Sequence, residues 1–299
     1  MSQRALSTTA FLTLLAIASV MGANHVAARV AFNEGTDVST AVVFRSGVTA
    51  LVLVMLLRWQ GPSQWPSARQ WRVLTGVGLL VGLQSLSIYA AVARLPVALA
   101  LLAFNTFPIF VGLWGWLLYR QEPGRALLMA MPVLIVGLGL ALDVLGAASG
   151  LGVQGQWQRI GEGLAFAITA AASFALVLIL TQHEAASVDA RLRTAFTMAL
   201  ACAVAAALCL AQGRWQMPQS STGWLGLTLL TVLYGSGITV LLAVLPRLGV
   251  MGNSPILNVE PVVALVLAWL VLGQTIAPMQ IAGGLIVVAA VMALGLRKR

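Results

Sequence analysis

Glu260 is the most unusual ionisable residue of this sequence, because it is the only carboxylate that lies several residues inside an apolar segment. An ionised carboxylate without a partner is costly to bury, so it must pair with a basic group, reach water or take up a proton. Three roles stay open for it: a proton-coupling site, a contact for a substrate amine, and one half of a structural ion pair.

Three further polar residues interrupt the first two apolar segments. Asn24 and His25 lie near the outer end of the first segment, and Arg45 lies a few residues inside the second. A histidine there can serve as a hydrogen-bonded structural residue or as a pH-sensitive substrate contact. An arginine must reach the interface, pair or face water, so Arg45 is a coupling or gating candidate, with an interface anchor or a cap on backbone carbonyls as the structural alternative.

The other candidates lie on helices that could line a cavity. Gln84 and Tyr89 lie in the third apolar segment, and Tyr234 and Ser236 lie in the eighth. Polar side chains are scarce in these segments, and polar residues inside a membrane are commonly functional. We therefore include all four as candidate substrate contacts.

Two Asn-x-x-Pro pairs predict helix kinks. Asn105 precedes Pro108 by three residues, and Asn258 precedes Pro261 by three residues. A proline inside a helix removes one backbone hydrogen bond and leaves a carbonyl unpaired, so the amide side chain one turn earlier can satisfy that carbonyl or a substrate. Both asparagines are substrate-binding candidates and both prolines are gating candidates, while a purely structural kink stays open.

Enzyme chemistry finds no support in the residue pattern. His25 and His183 are the only histidines, and the sequence has no HExxH, no GxSxG and no metal-ligand cluster. Gly235-Ser236-Gly237 superficially resembles a serine nucleophile motif, but neither histidine follows it. We therefore expect no catalytic residue, no metal and no cofactor. A channel is harder to set aside, although no ring of charges is evident.

The composition places these residues in a lipid bilayer. The 299-residue chain is 60% hydrophobic and 8% charged, whereas about a quarter of the residues of a soluble domain are charged. Its net charge of +9 comes from basic residues mostly in short loops, which indicates membrane orientation rather than nucleic-acid binding. Their distribution predicts that both termini are cytoplasmic.

The predicted fold is an all-α integral membrane protein with ten transmembrane helices. The apolar segments are 8–31, 39–57, 73–92, 97–118, 126–145, 161–181, 194–211, 224–245, 254–272 and 276–296. Each is near the length of about 20 residues that one crossing requires, and each is apolar all round, which favours helices over barrel strands.

A duplication organises these helices. Seven scarce residues recur 153 positions later: Trp71, Gly82, Arg94, Asn105, Pro108, Trp116 and Gln121 correspond to Trp224, Gly235, Arg247, Asn258, Pro261, Trp269 and Gln274. Each copy spans five helices, an odd number, so the second copy must enter the membrane from the opposite side. The first repeat covers 1–123 through the fourth helix and continues as the fifth helix to about 146, 147–160 form an outer connecting loop, and 161–299 form the second repeat.

Inverted repeats allow alternating access, in which two similar halves open a central site to one face and then to the other. The alternative is that duplication merely built a large bundle. The copies differ most sharply where Phe107 of one corresponds to Glu260 of the other. We expect substrate polarity or coupling at that mismatch.

The chain resembles the EamA-type exporters of the drug/metabolite transporter superfamily. The resemblance rests on Gly22-Ala23-Asn24-His25-Val26-Ala27-Ala28-Arg29 in the first helix, Phe44-Arg45 in the second, Glu260-Pro261-Val262-Val263-Ala264, and the two five-helix repeats. It departs from the family in lacking the glycine-glutamate pair that often ends the fourth and ninth helices: Arg120-Gln121-Glu122 and Gly273-Gln274 stand there. The second copy therefore lacks the glutamate of the family pattern, and any role that the family gives to that carboxylate does not apply to this chain.

The resemblance implies a bacterial inner-membrane carrier with a central cavity flanked by the third, fourth, eighth and ninth helices. It also implies export of small metabolites, in one branch amino acids, including aromatic ones, and some organic cations. We expect an amino-acid exporter that functions as a monomer, with a dimer left open. The alternatives are export of other metabolites or organic-cation drugs, a channel-like facilitator and a membrane-embedded enzyme.

Overall fold

The computed structural model describes residues 8–61, 64–121, 125–143, 145–146, 150–248, 257, 259–274 and 277–296. These residues form eleven helices: α1 (Thr8–Asn33), α2 (Val38–Gln60), α3 (Ala68–Arg94), α4 (Val97–Phe104), α5 (Phe107–Tyr119), α6 (Arg125–Ala141), α7 (Gly152–Glu184), α8 (Ala190–Gln212), α9 (Ser221–Leu248), α10 (Glu260–Leu272) and α11 (Pro278–Leu296).

Within the described residues, seven helical spans are long and apolar enough to cross a membrane, and three shorter apolar helices lie at 131–141, 260–272 and 278–290. Together they occupy the positions of the ten predicted segments. The prediction of an all-helical membrane protein is therefore confirmed.

Two boundaries differ from the sequence prediction. The fourth segment is not one kinked helix, because α4 ends at Phe104 and α5 begins at Phe107. The expected loop at 147–160 is too long, because α7 already begins at Gly152. Gln156, inside that expected loop, is buried and donates to the Leu142 carbonyl at 2.8 Å. This contact holds the start of α7 against the end of α6. The polar residues from 152 to 160 therefore belong to a packed helix and not to a loop.

Counterpart helices of the two repeats run antiparallel. Near the start of α2, Thr40 Oγ1 lies 3.9 Å from Cys209 Sγ near the end of α8. At the other end, Arg191 near the start of α8 donates to Gln60, the last residue of α2. The second helix of one repeat therefore lies against the second helix of the other in the opposite direction.

The last helices of the two repeats, α6 and α11, pack in the same way through glycines. A Cβ at Gly137 would lie 2.9 Å from side-chain carbons of Ile286 and Val287, and Gly283 lies against the backbone of Ala141 one turn further along α6. Small residues at a crossing let two membrane helices approach closely. The order of these contacts makes α6 and α11 antiparallel.

The remaining contacts interlock the repeats. α3 packs along α7, with Arg94 paired to Glu162 at 2.9 Å at one end and Arg69 paired to Glu184 at 2.8 Å at the other. The counterpart pair, α1 with α9, packs equally extensively. α1 and α7 are the first helices of the two repeats, and α3 and α9 are the third. The same pair of helices therefore packs twice, which fits an inverted repeat around a pseudo-two-fold axis.

Candidate functional site: a cavity between the repeats

An internal cavity lies between the two repeats. It leaves about 20 Å³ for the centre of a water-sized molecule, which is room for roughly one water. Its polar lining consists of His25, Arg45, Gln84, Tyr234 and Glu260. Five of the candidates named from the sequence therefore meet at one place, on helices from both repeats.

The lining follows the duplication. Four pairs of its residues are related by the same spacing of 153 positions: Met21 and Phe174, Ile88 and Leu241, Phe104 and Leu257, and Phe107 and Glu260. Equivalent positions of the two repeats thus line the same cavity. The predicted Phe107 and Glu260 mismatch lies in its wall, so the two halves of the cavity differ in charge.

Glu260 reaches the cavity because α1 and α10 approach closely at Gly22. A Cβ at Gly22 would lie 2.8 Å from the Glu260 carbonyl oxygen, so a larger residue would push α10 away. One turn later on α1, His25 Nε2 lies 3.2 Å from Glu260 Oε1, and both side chains are more than 90% buried. Because Oε1 has no well-aligned hydrogen bond within the described part of the chain, the contact is electrostatic rather than a linear hydrogen bond.

Arg45 lies between two tyrosine rings. Its guanidinium carbon is 3.4 Å from the centroid of the Tyr234 ring and 4.5 Å from that of Tyr89, distances at which the ring faces attract a cation. The residue is 1% exposed, so it is not the interface anchor considered from the sequence. Tyr89 is fixed in turn, because its hydroxyl donates to Asn24 Oδ1 at 2.9 Å.

Three phenylalanines form an aromatic cluster in the apolar part of the wall. The ring centroids of Phe104, Phe107 and Phe174 are 5.2 to 5.8 Å apart, within the range of favourable aromatic pairs. α4, α5 and α7 each contribute one ring. This cluster offers an apolar surface beside the charged groups.

The Asn-x-x-Pro pairs have a structural role where the structure describes them. Asn105 is 1% exposed and donates through Nδ2 to the Leu101 carbonyl at 2.8 Å, which satisfies the end of α4. Pro108 and Pro261 each occupy the second position of a helix, where a missing N–H is tolerated. The interruption expected at Asn105-x-x-Pro108 takes the form of a break between two helices, because α4 ends at Phe104 and α5 begins at Phe107. Asn258 lies outside the described residues.

The remaining candidates divide between the cavity and the surface. Gln84 lines the cavity, while Asn24 and Tyr89 support its wall from behind. Ser236 is exposed, and its hydroxyl donates within α9 to the carbonyls of Val232 at 2.8 Å and Leu233 at 3.1 Å. Ser236 is therefore not part of this cavity, and its role as a substrate contact stays a prediction.

Sequence reasoning missed the aliphatic members of the lining. Ile88 and Leu241 lie in the wall, yet in so apolar a chain their residue types carry no signal. The spacing of the repeat, applied outward from Phe107 and Glu260, is the one signal that relates them.

The fold and the cavity define a multi-pass membrane protein whose inverted repeats share an internal site. The profile of the EamA-like transporter family matches residues 8–142 and 161–296. The chain belongs to this family, and it is thus a membrane transporter of small metabolites. The resemblance to the drug/metabolite transporter superfamily is confirmed at this level.

The other comparisons concern the fold. One crystal structure of a protein superposes with a TM-score of 0.66 at 16% sequence identity, over 98% of this chain and 97% of its own. At that identity the likeness shows a shared fold and nothing about the substrate. No curated protein matches the chain in sequence.

Proposed function

We propose that this transporter exports amino acids, aromatic ones among them, or similar small amphiphilic metabolites by alternating access. It does so as a monomer in the bacterial inner membrane, with both termini in the cytoplasm. The observation that carries the proposal is one cavity that combines Glu260, with His25 beside it, and the cluster of Phe104, Phe107 and Phe174. An amphiphilic substrate has a charged end for the first group and an apolar end for the second.

Glu260 supplies the contact for a substrate ammonium. Its carboxylate is held at the start of α10, where the helix dipole also favours a negative charge. His25 is its neighbour while the cavity is empty of substrate. An incoming ammonium approaches the same carboxylate oxygen that His25 contacts in the empty cavity, so the substrate replaces His25 as the partner of Glu260.

The small volume of the cavity favours alternating access over a permanent pore. Room for roughly one water is far too little for an amino acid. The helices must therefore move to admit substrate, and this movement opens the cavity to one face of the membrane at a time. The repeat symmetry relates the helix pair α1 and α9 to the pair α3 and α7. These two pairs provide two similar sets of contacts for such a movement.

Transport by purified protein in liposomes tests the proposal. We expect saturable flux of a labelled amino acid from a panel that also contains organic cations, with aromatic amino acids among the best substrates. Ser236→Ala is the matched control, because it alters a side chain on the outer surface and should leave the flux unchanged. Unsaturable, linear flux would favour a channel, and absence of flux across the whole panel would refute the proposal.

Export of organic cations is the second candidate. It is favoured by the acidic Glu260 in a wall rich in aromatic rings, since ring faces and carboxylates both bind cations. The same panel separates the two: organic cations that outcompete every amino acid would replace the first proposal with the second.

A further inference from the structure

Three arginines of the described helices lie at least partly inside the bundle, Arg45 and Arg193 fully buried and Arg29 half-buried, and they differ in what they contact. Arg29 donates through Nη1 to the carbonyls of Val92 and Leu95, where α3 ends. Arg193 donates to the carbonyl of Ala185 at 2.8 Å, after the end of α7, and to that of Leu242 in α9. Both arginines therefore serve the structure by satisfying backbone carbonyls.

Arg45 is different, because its guanidinium is aimed at a cavity and not at a helix end. Its Nε and Nη2 have no hydrogen-bond partner in the part of the chain that the structure describes. The Tyr234 and Tyr89 rings lie close to the guanidinium carbon, and the Tyr89 hydroxyl interacts with the same group, while Nε and Nη2 stay available for a ligand. Buried donors of a charged group are rarely left unsatisfied without a functional reason.

The charges of the lining leave this arginine without an anion of its own. Glu260 is the one carboxylate in the cavity lining, and His25 Nε2 lies 3.2 Å from its Oε1. No salt bridge joins Glu260 to Arg45 among the described side chains. A second anion, supplied by the transported molecule, would complete the cavity.

We infer that Arg45 is the anchor for a carboxylate of the substrate. The planar guanidinium fork matches a carboxylate with two parallel N–H to O bonds, and such charge-assisted bonds are strongest where water is excluded. Tyr89 and Tyr234 are positioning residues that hold the guanidinium beside the cavity, and Asn24 fixes Tyr89. The inference deepens the proposed function and rests on it: the substrate carries a carboxylate for Arg45 as well as an ammonium for Glu260.

Competition among four related probes in liposomes tests this role. The probes are L-phenylalanine, L-phenylalaninamide, 3-phenylpropionate and phenethylamine, each added against labelled L-phenylalanine. In the wild type, the amide and the amine should compete roughly 10- to 100-fold more weakly than L-phenylalanine, which is the range expected for losing a hydrogen bond to a charged group. In Arg45→Met this discrimination should disappear, because the variant has no fork to recognise the carboxylate.

Conservative variants separate recognition from folding. Arg45→Lys keeps the charge but loses the fork, so it should retain only part of the discrimination. Tyr234→Phe keeps the ring and should discriminate between L-phenylalanine and its amide as the wild type does. Tyr234→Leu removes the ring and should discriminate less. Equal loss of competition by all four probes in Arg45→Met, with the thermal unfolding temperature unchanged, would overturn the inference. A wild type that binds L-phenylalaninamide as tightly as L-phenylalanine would also overturn the inference.

Thermal unfolding of the purified proteins separates failure of this inference from failure of the proposed function. If the wild type transports none of the probes and no other amino acid of the panel, amino-acid export is refuted. Arg45 is then decided by binding alone: 3-phenylpropionate should raise the unfolding temperature of the wild type more than phenethylamine does, and Arg45→Lys should reduce that difference. Equal stabilisation by the two ligands would refute a carboxylate anchor.

Discussion

Replacing Gly22 by alanine adds one methyl group at the point where α1 meets α10. The new Cβ would lie 2.8 Å from the Glu260 carbonyl oxygen and 3.3 Å from the Ala264 nitrogen, whereas ordinary contacts begin at 3.4 Å. Both obstacles are backbone atoms of a helix, so neither can turn aside as a flexible side chain would. The two helices must move apart.

The size of the effect follows from these distances. Restoring an ordinary contact requires a separation of about 0.6 Å, which also carries the Glu260 carboxylate away from His25. Overpacking of this kind costs about 1–3 kcal/mol, and the better helix propensity of alanine offsets about 0.5–1 kcal/mol of it. Since an error of about 1 Å in a binding geometry can cost about a hundredfold, we expect flux to fall by roughly tenfold.

The assay is saturable amino-acid flux in liposomes, measured together with the thermal unfolding temperature. Gly76→Ala is the matched control, because Gly76 is an exposed helical glycine of α3 and a Cβ there would meet nothing within 4 Å. It should keep full flux and a stability equal to or above that of the wild type. Full flux and raised stability in Gly22→Ala as well would refute the close approach of α1 to α10 as the feature that places Glu260.

Three further substitutions test other parts of the site. Glu260→Gln keeps the shape of the side chain but removes its charge, so the affinity for an amino acid in counterflow should fall roughly 10- to 100-fold, because the substrate ammonium loses its charged partner; an unchanged affinity would refute Glu260 as the ammonium contact. Phe174→Leu opens the aromatic cluster, and the ratio of L-phenylalanine to L-leucine affinity in counterflow should fall about two- to tenfold, because an aromatic pair is worth about 0.5–1.5 kcal/mol. Arg193→Met leaves backbone carbonyls without their donor and should lower the free energy of unfolding by about 1–3 kcal/mol without changing the order of substrate preference; an altered preference would show that Arg193 acts on the cavity.

The sequence by itself was sufficient for the membrane class, the ten helical segments and the repeat. These follow from composition and from scarce residues at a constant spacing, which need no knowledge of how helices pack. The sequence was also sufficient to single out Glu260, Arg45 and His25, which the structure places in the lining of one cavity. Ionisable residues are conspicuous in so apolar a chain. The repeat boundaries and the topology relative to the cytoplasm stay predictions.

Tertiary structure alone decided what each of these residues contacts. Glu260 lies beside His25 rather than Arg45, Arg45 lies between tyrosines rather than at the interface, and Ser236 faces outward. A contact between helices depends on how each helix is rotated about its axis and where the axes cross. In soluble proteins an apolar stripe reports that rotation, but a membrane helix that is apolar on every side carries no such stripe. The sequence therefore identified the scarce polar residues inside the membrane segments, and the close packing of α1, α2, α9 and α10 determined which of them meet.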